Sequence, residues 1–188
     1  MRGRNLLSLN QTFFEKFRGK GSKINKAFFR MAPWNKALKL TTSMVILIMS
    51  WVVFETLFII EGLTGYFLSG MAVCVIFLTY LFSPRGYSLD DKHLTINRLV
   101  GGISIPYSQI LTVEIVENVK FSLRVFGVGG VFSWYGSFFV ENGSNLGVAK
   151  VYATSFRRMV RIETSKRTYY LSPADPEGFA KAVKERLG

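Results

Sequence analysis

The sequence predicts a hairpin of two membrane-spanning helices, followed by a mainly-β barrel or sandwich of about seven antiparallel strands that a C-terminal amphipathic helix closes. Three observations predict this fold. Two apolar runs in the first half of the chain are each long enough to cross a bilayer. Much of the second half alternates apolar and polar residues, which is the period of half-buried strands. The last segment combines a helix-start signal with an apolar stripe at helical spacing.

The composition limits the possible classes of function. The chain has 188 residues, of which 49% are hydrophobic and 19% are charged, and its net charge is +12. Soluble domains carry about a quarter charged residues, so this chain is unusually apolar as well as basic. One cysteine excludes a disulfide framework, and one histidine disfavours His-rich metal sites and His-dependent catalysis. We expect no cofactor, no metal site and no enzyme activity.

The first segment, residues 1–39, is predicted to be a basic, partly amphipathic arm on the cytoplasmic side. It holds ten basic residues and one acidic residue, a charge of +9. Its apolar residues recur near helical spacing at Leu6, Leu9, Phe13 and Phe17. A basic amphipathic helix lying on an anionic leaflet has this composition. A loosely ordered positive flank that only sets the topology fits equally well.

The two apolar runs, residues 40–60 and 63–82, predict a transmembrane hairpin because only two residues separate them. Basic residues precede the first run and follow the second, and the link between the runs has none. Positive residues stay on the cytoplasmic side of the inner membrane. The sequence therefore predicts a multi-pass protein of the cell membrane with both termini in the cytoplasm.

Polar and small residues mark positions of interest inside the hairpin. Glu55 lies five residues from the outer end of the first run, or roughly 7.5 Å, so it can reach the far interface or bond to a polar residue of the second run. A proton-linked or oligomer-forming role for Glu55 is the alternative. Gly65, Ser69 and Ala72 form a small-residue face that permits close helix packing, either within the hairpin or in a homodimer.

Residues 84–188 are predicted to form the cytoplasmic β-domain. Leu94 and Ile96 alternate with polar residues, and Val160 and Ile162 repeat the pattern. Asp175 is a predicted N-cap with proline at the first helical position, and the apolar stripe of the helix that follows consists of Phe179, Val183 and Leu187.

Several segments of this domain resemble bacterial pleckstrin-homology (PH) domains. The resemblance covers most of residues 84–188, and the segments that carry it are 87–96, 105–110, 112–115, 127–138, 151–154 and 170–179. It implies a PH-like barrel closed by a helix, and many bacterial proteins of this kind carry two membrane spans before the domain. PH-like folds host several binding functions, so the resemblance implies no catalytic activity.

Two motifs that could suggest chemistry have simpler interpretations. Gly127, Gly129 and Gly130 lack both the third glycine of a dinucleotide fingerprint and the Gly-Lys-Ser/Thr of a P-loop, so a bent, bulged connection between strands is predicted. Asp90 and His93, with an aspartate between them, could bind a metal, but aspartates are typical of a hairpin tip.

A cluster of basic and aromatic residues predicts a surface that contacts the membrane or a partner. Its members are Arg157, Arg158, Arg161, Lys166, Arg167, Trp134 and Tyr135. Anionic headgroups of the cytoplasmic leaflet and a protein partner both suit such a surface, whereas no motif for nucleic-acid binding is present.

The sequence thus predicts a membrane-anchored PH-like module that binds or scaffolds a protein partner, or membrane headgroups, at the cytoplasmic face. The alternative is an oligomeric subunit of a small transporter or channel, with Glu55 lining the pathway and the PH-like domain as regulator. A homo-oligomer is compatible with both interpretations.

Overall fold

The computed structural model describes residues 26–60, 62–119, 121–142 and 145–187. The predicted amphipathic helix at the start of the arm lies outside the described residues. The elements that follow form a hairpin of two helices and a mainly-β domain with two sheets.

The helices of the hairpin are α1, Lys36–Phe58, and α2, Leu63–Phe82. Both are long and apolar enough to span a membrane. α2 has the predicted bounds, but α1 begins four residues before the predicted start at residue 40. The reason is the side chain of Asn35, whose Oδ1 accepts a hydrogen bond of 2.7 Å from the Leu38 backbone N–H and caps the helix there.

The first sheet contains four antiparallel strands in the order β1-β2-β3-β4. These strands are β1, Ala27–Arg30; β2, Pro84–Leu89; β3, His93–Arg98; and β4, Ile103–Pro106. β1 comes from the segment for which the sequence predicted an arm. It is a strand because its side chains alternate between exposed and half-buried, and because the edge of β2 pairs with it from Ala27 opposite Leu89 to Arg30 opposite Gly86. The helical hairpin therefore interrupts this sheet between two neighbouring strands.

The second sheet contains six strands in the order β5-β9-β10-β8-β7-β6. A single 3₁₀ turn, Tyr107–Gln109, leads into this sheet. The strands are β5, Ile110–Glu117; β6, Phe121–Val131; β7, Ser133–Asn142; β8, Asn145–Ala153; β9, Arg158–Thr164; and β10, Thr168–Leu171.

The described strands number ten, not about seven, and they form two sheets, not a closed barrel. One extra strand is β1, and another is β7, which includes part of the glycine-rich stretch that was predicted to be a connection. The expectation of antiparallel pairing alone was also wrong. The β9–β10 hairpin lies between β5 and β8, so β10 runs parallel to β8, with Tyr170 opposite Val151.

The main core lies between the two sheets under the C-terminal helix α3, Pro176–Lys184. Asp175 caps this helix as predicted, since its Oδ1 accepts from the Gly178 N–H at 3.0 Å. Phe179 is fully buried and packs edge-on against Phe29 of β1 at 5.2 Å between ring centroids. β1 is therefore part of the domain core.

Tyr87 of β2 connects both sheets at the centre of this core. Its hydroxyl donates to the Tyr152 carbonyl at 2.7 Å and accepts from the Ser172 N–H at 3.0 Å. Burial raises the pKa of Tyr87 far above its ordinary value, and hydrogen bonding to Ser172 offsets only part of that effect. The phenol is therefore neutral at any physiological pH.

A second, smaller core covers the outer face of the second sheet. Its buried residues are Phe138, Val140, Ala149, Val151, Ala153, Met159 and Tyr170. Trp134 and Phe156 pack beside them, with 4.9 Å between their ring centroids. Alternate residues of β7 and β8 therefore pack into two different cores. Those in the main core face the first sheet, and those in the smaller core face away from it.

Candidate functional site

The base of the helical hairpin meets the tip of the β6–β7 hairpin, and this junction frames the candidate site. Phe132 at the tip lies between Trp34, just before α1, and Tyr80 in the last turn of α2. The ring centroids are 6.4 Å and 5.3 Å from that of Phe132. Phe132 has a φ of 60°, a conformation that is uncommon for a bulky residue, so the contact holds it in a strained turn.

Hydrogen bonds fasten α1 to the same tip. The buried hydroxyl of Thr42 accepts from the Phe132 N–H at 3.1 Å and donates to the Gly130 carbonyl at 3.3 Å. Thr42 thereby satisfies two polar backbone groups of the turn, which would otherwise be buried without partners.

The end of α2 is fastened to the beginning of β7. The hydroxyls of Ser83 and Ser133 are both buried and lie 2.8 Å apart. The hydroxyl of Tyr135 donates to the carbonyl of Thr79 at 3.1 Å. The hairpin and the domain therefore form one packed junction.

Two glycines bring β6 and β7 unusually close together just behind the tip. Gly127 and Gly136 are opposite each other, with φ values of 129° and 132°. A Cβ on Gly127 would lie 2.2 Å from the Tyr135 carbonyl oxygen. The glycines thus permit this close strand pairing, and both border a space on one face of the sheet.

That space is a cleft of about 650 Å³ beside the junction. Its walls come from the end of α2, the end of β3 and the strands β6, β7 and β8. The lining residues are Phe82, Arg98, Val125, Phe126, Gly127, Val128, Tyr135, Gly136, Lys150 and Tyr152. Most of the cleft is formed by side chains of β6–β8 on the sheet face that also carries the core residue Tyr152. The cleft therefore continues the space between the sheets.

The cleft is positively charged, because the described residues that line it include two cations and no acidic residue. Arg98 donates from Nε to the Gly101 carbonyl at 2.7 Å, and its guanidinium lies 5.7 Å from the centre of the Phe82 ring. Lys150 donates from Nζ to the Ser137 hydroxyl at 2.7 Å. Both cations are held in place by neutral groups, so their charge is available to an anion.

The two tyrosines of the cleft are neutral. Tyr135 and Tyr152 are cross-strand neighbours, and burial raises the pKa of both. The positive charge of Arg98 opposes this increase at both phenols, and that of Arg167 opposes it at Tyr152. The arrangement can therefore bind an anion against a neutral, half-apolar wall.

The predicted basic cluster does not form a single patch. Arg158 forms ion pairs with Glu117 and Glu177, and Arg161 forms ion pairs with Glu114 and Glu163. The partners on β5 lie directly opposite the two arginines on β9. These four acids neutralise much of the charge that the sequence concentrates there.

The remaining basic residues of that cluster are split along β9. Arg157 precedes the strand and is exposed, whereas Lys166 and Arg167 lie in the turn after it. At about 3.3 Å per residue, the seven residues of β9 separate these two groups by roughly 20 Å. Within the cluster, the positive charge of Arg167 acts on Tyr152 in the cleft, where it opposes the increase in pKa.

The two predicted aromatic residues have different roles because neighbours on a strand face opposite ways. Trp134 packs in the outer core against Phe138 and Phe156. Tyr135 lines the cleft and bonds to α2. Tyr135 is thus the member of the pair at the site.

The predicted small-residue face of α2 lies against α1. Gly65, Ser69 and Ala72 are the buried residues of α2. A Cβ on Gly65 would lie 2.2 Å from the Thr56 carbonyl oxygen, and the Ser69 and Thr56 hydroxyls are 2.5 Å apart. Ser69 therefore pairs with Thr56, the residue that follows Glu55 in the chain. The Glu55 side chain is half-exposed.

Asp90, at the β2–β3 turn, makes contacts that stabilise the turn. The Asp90 N–H donates to the His93 carbonyl at 2.9 Å, which closes the turn, and its carboxylate lies 3.6 Å from Lys26. Among the described residues, no group of three His, Cys, Asp or Glu side chains could hold a metal ion.

Sequence reasoning missed Arg98 and Lys150, although a signal for each exists. Arg98 continues the alternation of buried Leu94 and Ile96, and Lys150 shares a face with core residue Tyr152. A cation on the core-facing side of a strand is unusual, because charged residues are rarely buried without a partner. Such a position marks the point where a core opens into a cleft.

Comparison with known proteins gives one match. The family model described as a bacterial PH domain matches residues 85–187, which is more than half of the chain. No curated protein and no solved structure matches the chain.

Proposed function

The chain belongs to the bacterial PH domain family, and from that premise we propose that it is a membrane-anchored binding module. Its β-domain is held at the cytoplasmic face of the cell membrane, where it engages a protein partner or lipid headgroups. Domains of this fold are binding modules, and the two apolar helices before β2 suggest membrane association.

The observation that carries this proposal is the insertion of the helical hairpin into the first sheet. β1 precedes the hairpin, β2 follows it, and the two strands pair with each other. The segment before α1 is also tied down, since the Ala32 N–H donates to the Ser172 carbonyl at 2.8 Å and the Ala32 carbonyl accepts from the Thr154 hydroxyl at 2.6 Å. Such a connection fixes the orientation of the domain relative to the helices, whereas a flexible tether would not.

The exposed surface of the hairpin supports the membrane part of the proposal. Large apolar side chains cover both helices, including Trp51 at 64% and Phe67 at 68% exposure. A core helix of a soluble protein would bury these residues, and exposed apolar surface of this extent calls for lipid or a partner.

The chemistry of the cleft favours binding over catalysis. Its lining offers two cations and two neutral phenols, but no carboxylate, imidazole or thiol. General acid–base and nucleophilic catalysis mostly depend on those groups. This lining supports the proposal of a binding module.

Thiol labelling in intact cells tests the anchoring. In a Cys74→Ser background, Thr64→Cys should react with an impermeant thiol reagent added outside the cells, because position 64 lies in the first turn of α2, next to the link between the helices. Ser165→Cys, in the exposed β9–β10 turn, should react only after the cells are opened. Labelling of Ser165→Cys in intact cells, or of neither position in either condition, would contradict the proposed orientation.

Photo-cross-linking tests the binding part in the same cells. A photoreactive amino acid at Phe126, which is 79% exposed beside the cleft, should give adducts with a protein or with lipid. Leu111 on the opposite edge strand is 66% exposed and serves as the matched control. Equal adducts at both positions would mean that the cleft side is no binding surface.

The oligomeric state in detergent separates this proposal from a transporter or channel subunit. Two helices per chain cannot enclose a pathway, so that alternative needs a ring of several chains. A monomer or dimer by light scattering supports the anchored module, and a larger closed ring would support the alternative.

A further inference from the structure

We propose that the cleft between Arg98 and Lys150 binds the phosphate of an anionic phospholipid from the leaflet in which the hairpin ends. This inference rests on the proposed function and names a ligand for it. It concerns residues that the basic cluster predicted from the sequence did not include.

Among the described residues, no carboxylate forms an ion pair with Arg98 or Lys150, whereas Arg158 and Arg161 each have two. Arg98 and Lys150 also keep donors beyond those bound to Gly101 and Ser137. A phosphate between them would gain charge-assisted hydrogen bonds from both sides without displacing an acid.

The cleft lies at the end of α2, one of the two helices that are long and apolar enough to span a membrane. Phe82, the last residue of α2, lines the cleft. Pro84 at the start of β2 is opposite Arg98, so the β3–β4 turn lies beside the end of α2. In a hairpin that spans the bilayer, the end of α2 lies at the headgroup level of the surrounding leaflet, whose surface potential decays over a Debye length of about 8 Å.

Exposed apolar side chains lie beside the charged residues of the cleft. Leu99 and Val100 in the β3–β4 turn are 54% and 46% exposed, next to Arg98 in the chain. Val125 and Phe126, which line the cleft, are exposed as well. Free inorganic phosphate would need none of these side chains, but the glycerol and acyl chains of a lipid would cover them.

The size of the cleft also suits a lipid headgroup. A volume of about 650 Å³ is in the range of small-molecule sites and exceeds what a phosphate ion needs. The neutral phenols of Tyr135 and Tyr152 add polar surface without adding negative charge. Phosphate, glycerol and the start of two chains therefore fit the same cleft.

Calorimetric titration of the full-length protein in neutral detergent micelles tests the proposal. The probes are dihexanoyl phosphatidylglycerol and dihexanoyl phosphatidylcholine, which differ in net charge and share their chains. We expect saturable binding of the anionic lipid and weaker binding of the zwitterionic one by about tenfold or more. Equal affinities for the two lipids would overturn the proposal.

Two variants of matched charge locate the site. Arg98→Gln with Lys150→Gln should weaken binding of the anionic lipid about 10- to 100-fold, since two charge-assisted bonds are lost. Lys181→Gln with Lys184→Gln removes the same charge from the exposed side of α3 and should change the affinity less than about twofold. Equal effects of the two double variants would mean that only net charge matters and would refute a site in the cleft.

Arg98 also packs on Phe82, so its loss can disturb the fold. Lys150 has no such ring contact, and its bond to the Ser137 hydroxyl is one that a glutamine amide can also donate. Lys150→Gln alone should therefore still weaken binding by several-fold, with a thermal unfolding midpoint that is nearly unchanged. Unchanged affinity in Lys150→Gln would contradict the assignment of Lys150.

Competition by soluble anions separates a lipid from a free phosphate ligand. Glycerol 3-phosphate and inorganic phosphate at millimolar concentration should displace little of the anionic lipid. Displacement at equal concentration would show that the cleft takes a soluble phosphate, which overturns the lipid assignment. Should lipid binding fail while the thiol labelling and cross-linking outcomes hold, the anchored module stands with a different ligand.

Discussion

The helical hairpin and the β-domain bury opposite kinds of residue. In the domain, the large side chains of Tyr87 and Phe179 are fully buried between the sheets and α3. In the hairpin, the residues of α2 that face α1 are Gly65, Ser69 and Ala72, while the large apolar side chains face outward. The hydrophobic effect drives large residues inward only where water is outside. The β-domain is therefore packed as a core surrounded by water, whereas the exposed apolar surface of the hairpin calls for lipid or a partner, and four substitutions examine this contrast.

The largest effect is expected for Phe179→Ala in the domain core. Phe179 is fully buried and contacts aromatic rings of β1 and β2. Emptying such a site costs about 3–5 kcal/mol of unfolding free energy. Urea unfolding of the protein in detergent, followed by circular dichroism of the β-domain, measures it. Leu187→Ala, just beyond α3 and 37% exposed, is the control, and similar losses for the two would mean that α3 does not close the core.

The next largest effect is expected for Phe29→Ala, which tests whether β1 belongs to the domain. Phe29 is half-buried against the main core, whereas its neighbour Phe28 is 54% exposed. We expect a loss of about 2–3 kcal/mol for Phe29→Ala and less than about 1 kcal/mol for Phe28→Ala. The same urea titration distinguishes them. Equal, small losses would assign residues 27–30 to the arm and restore a domain boundary at residue 84.

Tyr87→Phe should cost about 1–3 kcal/mol at neutral pH, because it leaves the Ser172 N–H and the Tyr152 carbonyl buried without their partner. Tyr66→Phe in the hairpin changes the same group on a residue that is 67% exposed, and it should leave stability unchanged. Chemical unfolding at pH 7 compares the two. A neutral Tyr87→Phe would mean that water enters the core at this point.

The same tyrosine gives the stability a pH dependence. Burial raises the pKa of Tyr87, and it raises that of Tyr107 to about 12, whereas a tyrosine in an unfolded chain has a pKa of about 10. The unfolded state therefore loses these protons first. Stability is fully present below about pH 10 and falls as the pH rises from there toward the folded-state pKa. Tyr87→Phe should flatten this alkaline decrease, and an identical decrease in both proteins would exclude Tyr87 as its source.

The smallest free-energy effect is expected in the hairpin, for Gly65→Leu. The added side chain would meet the backbone of α1, so the helices must separate, at a cost of about 1–2 kcal/mol. With Thr56→Cys and Ser69→Cys in a Cys74→Ser background, disulfide formation in the membrane reports on the contact. The side chain added by Gly70→Leu would point into open space, so this variant should leave the rate of disulfide formation unchanged. Equal rates in the two leucine variants would refute the close packing.

The sequence predicted the elements whose signals are local. The bounds of α2 follow from an uninterrupted apolar run, and α3 follows from the cap at Asp175 and the stripe through Phe179. β1 was missed because four residues beside a basic segment carry little periodicity, and their strand is stabilised by β2, far along the chain. Long-range pairing of this kind has no local signature.

The candidate site was predicted less well, for a related reason. The basic residues near Arg158 are neighbours in sequence, but acids on β5 neutralise them in the folded sheet. Arg98 and Lys150 are far apart in sequence and meet because two sheets bring them to one cleft. A high density of charged residues along the chain indicates that the segment is exposed. Which of those charges remain unpaired depends on the strand register, because the register decides which side chains lie opposite each other.

The interruption of the first sheet also sets an order of events during synthesis. β1 leaves the ribosome first, then residues 31–83, and only afterwards its partner β2. Closing a loop of this length by chance is entropically costly, and pairing of α1 with α2 in a hairpin brings the two strands together. The first sheet can therefore be completed only after the helical hairpin has formed. A chain whose hairpin fails to form keeps the edge of β2 unpaired, and such an exposed strand is open to aggregation and to proteolytic quality control.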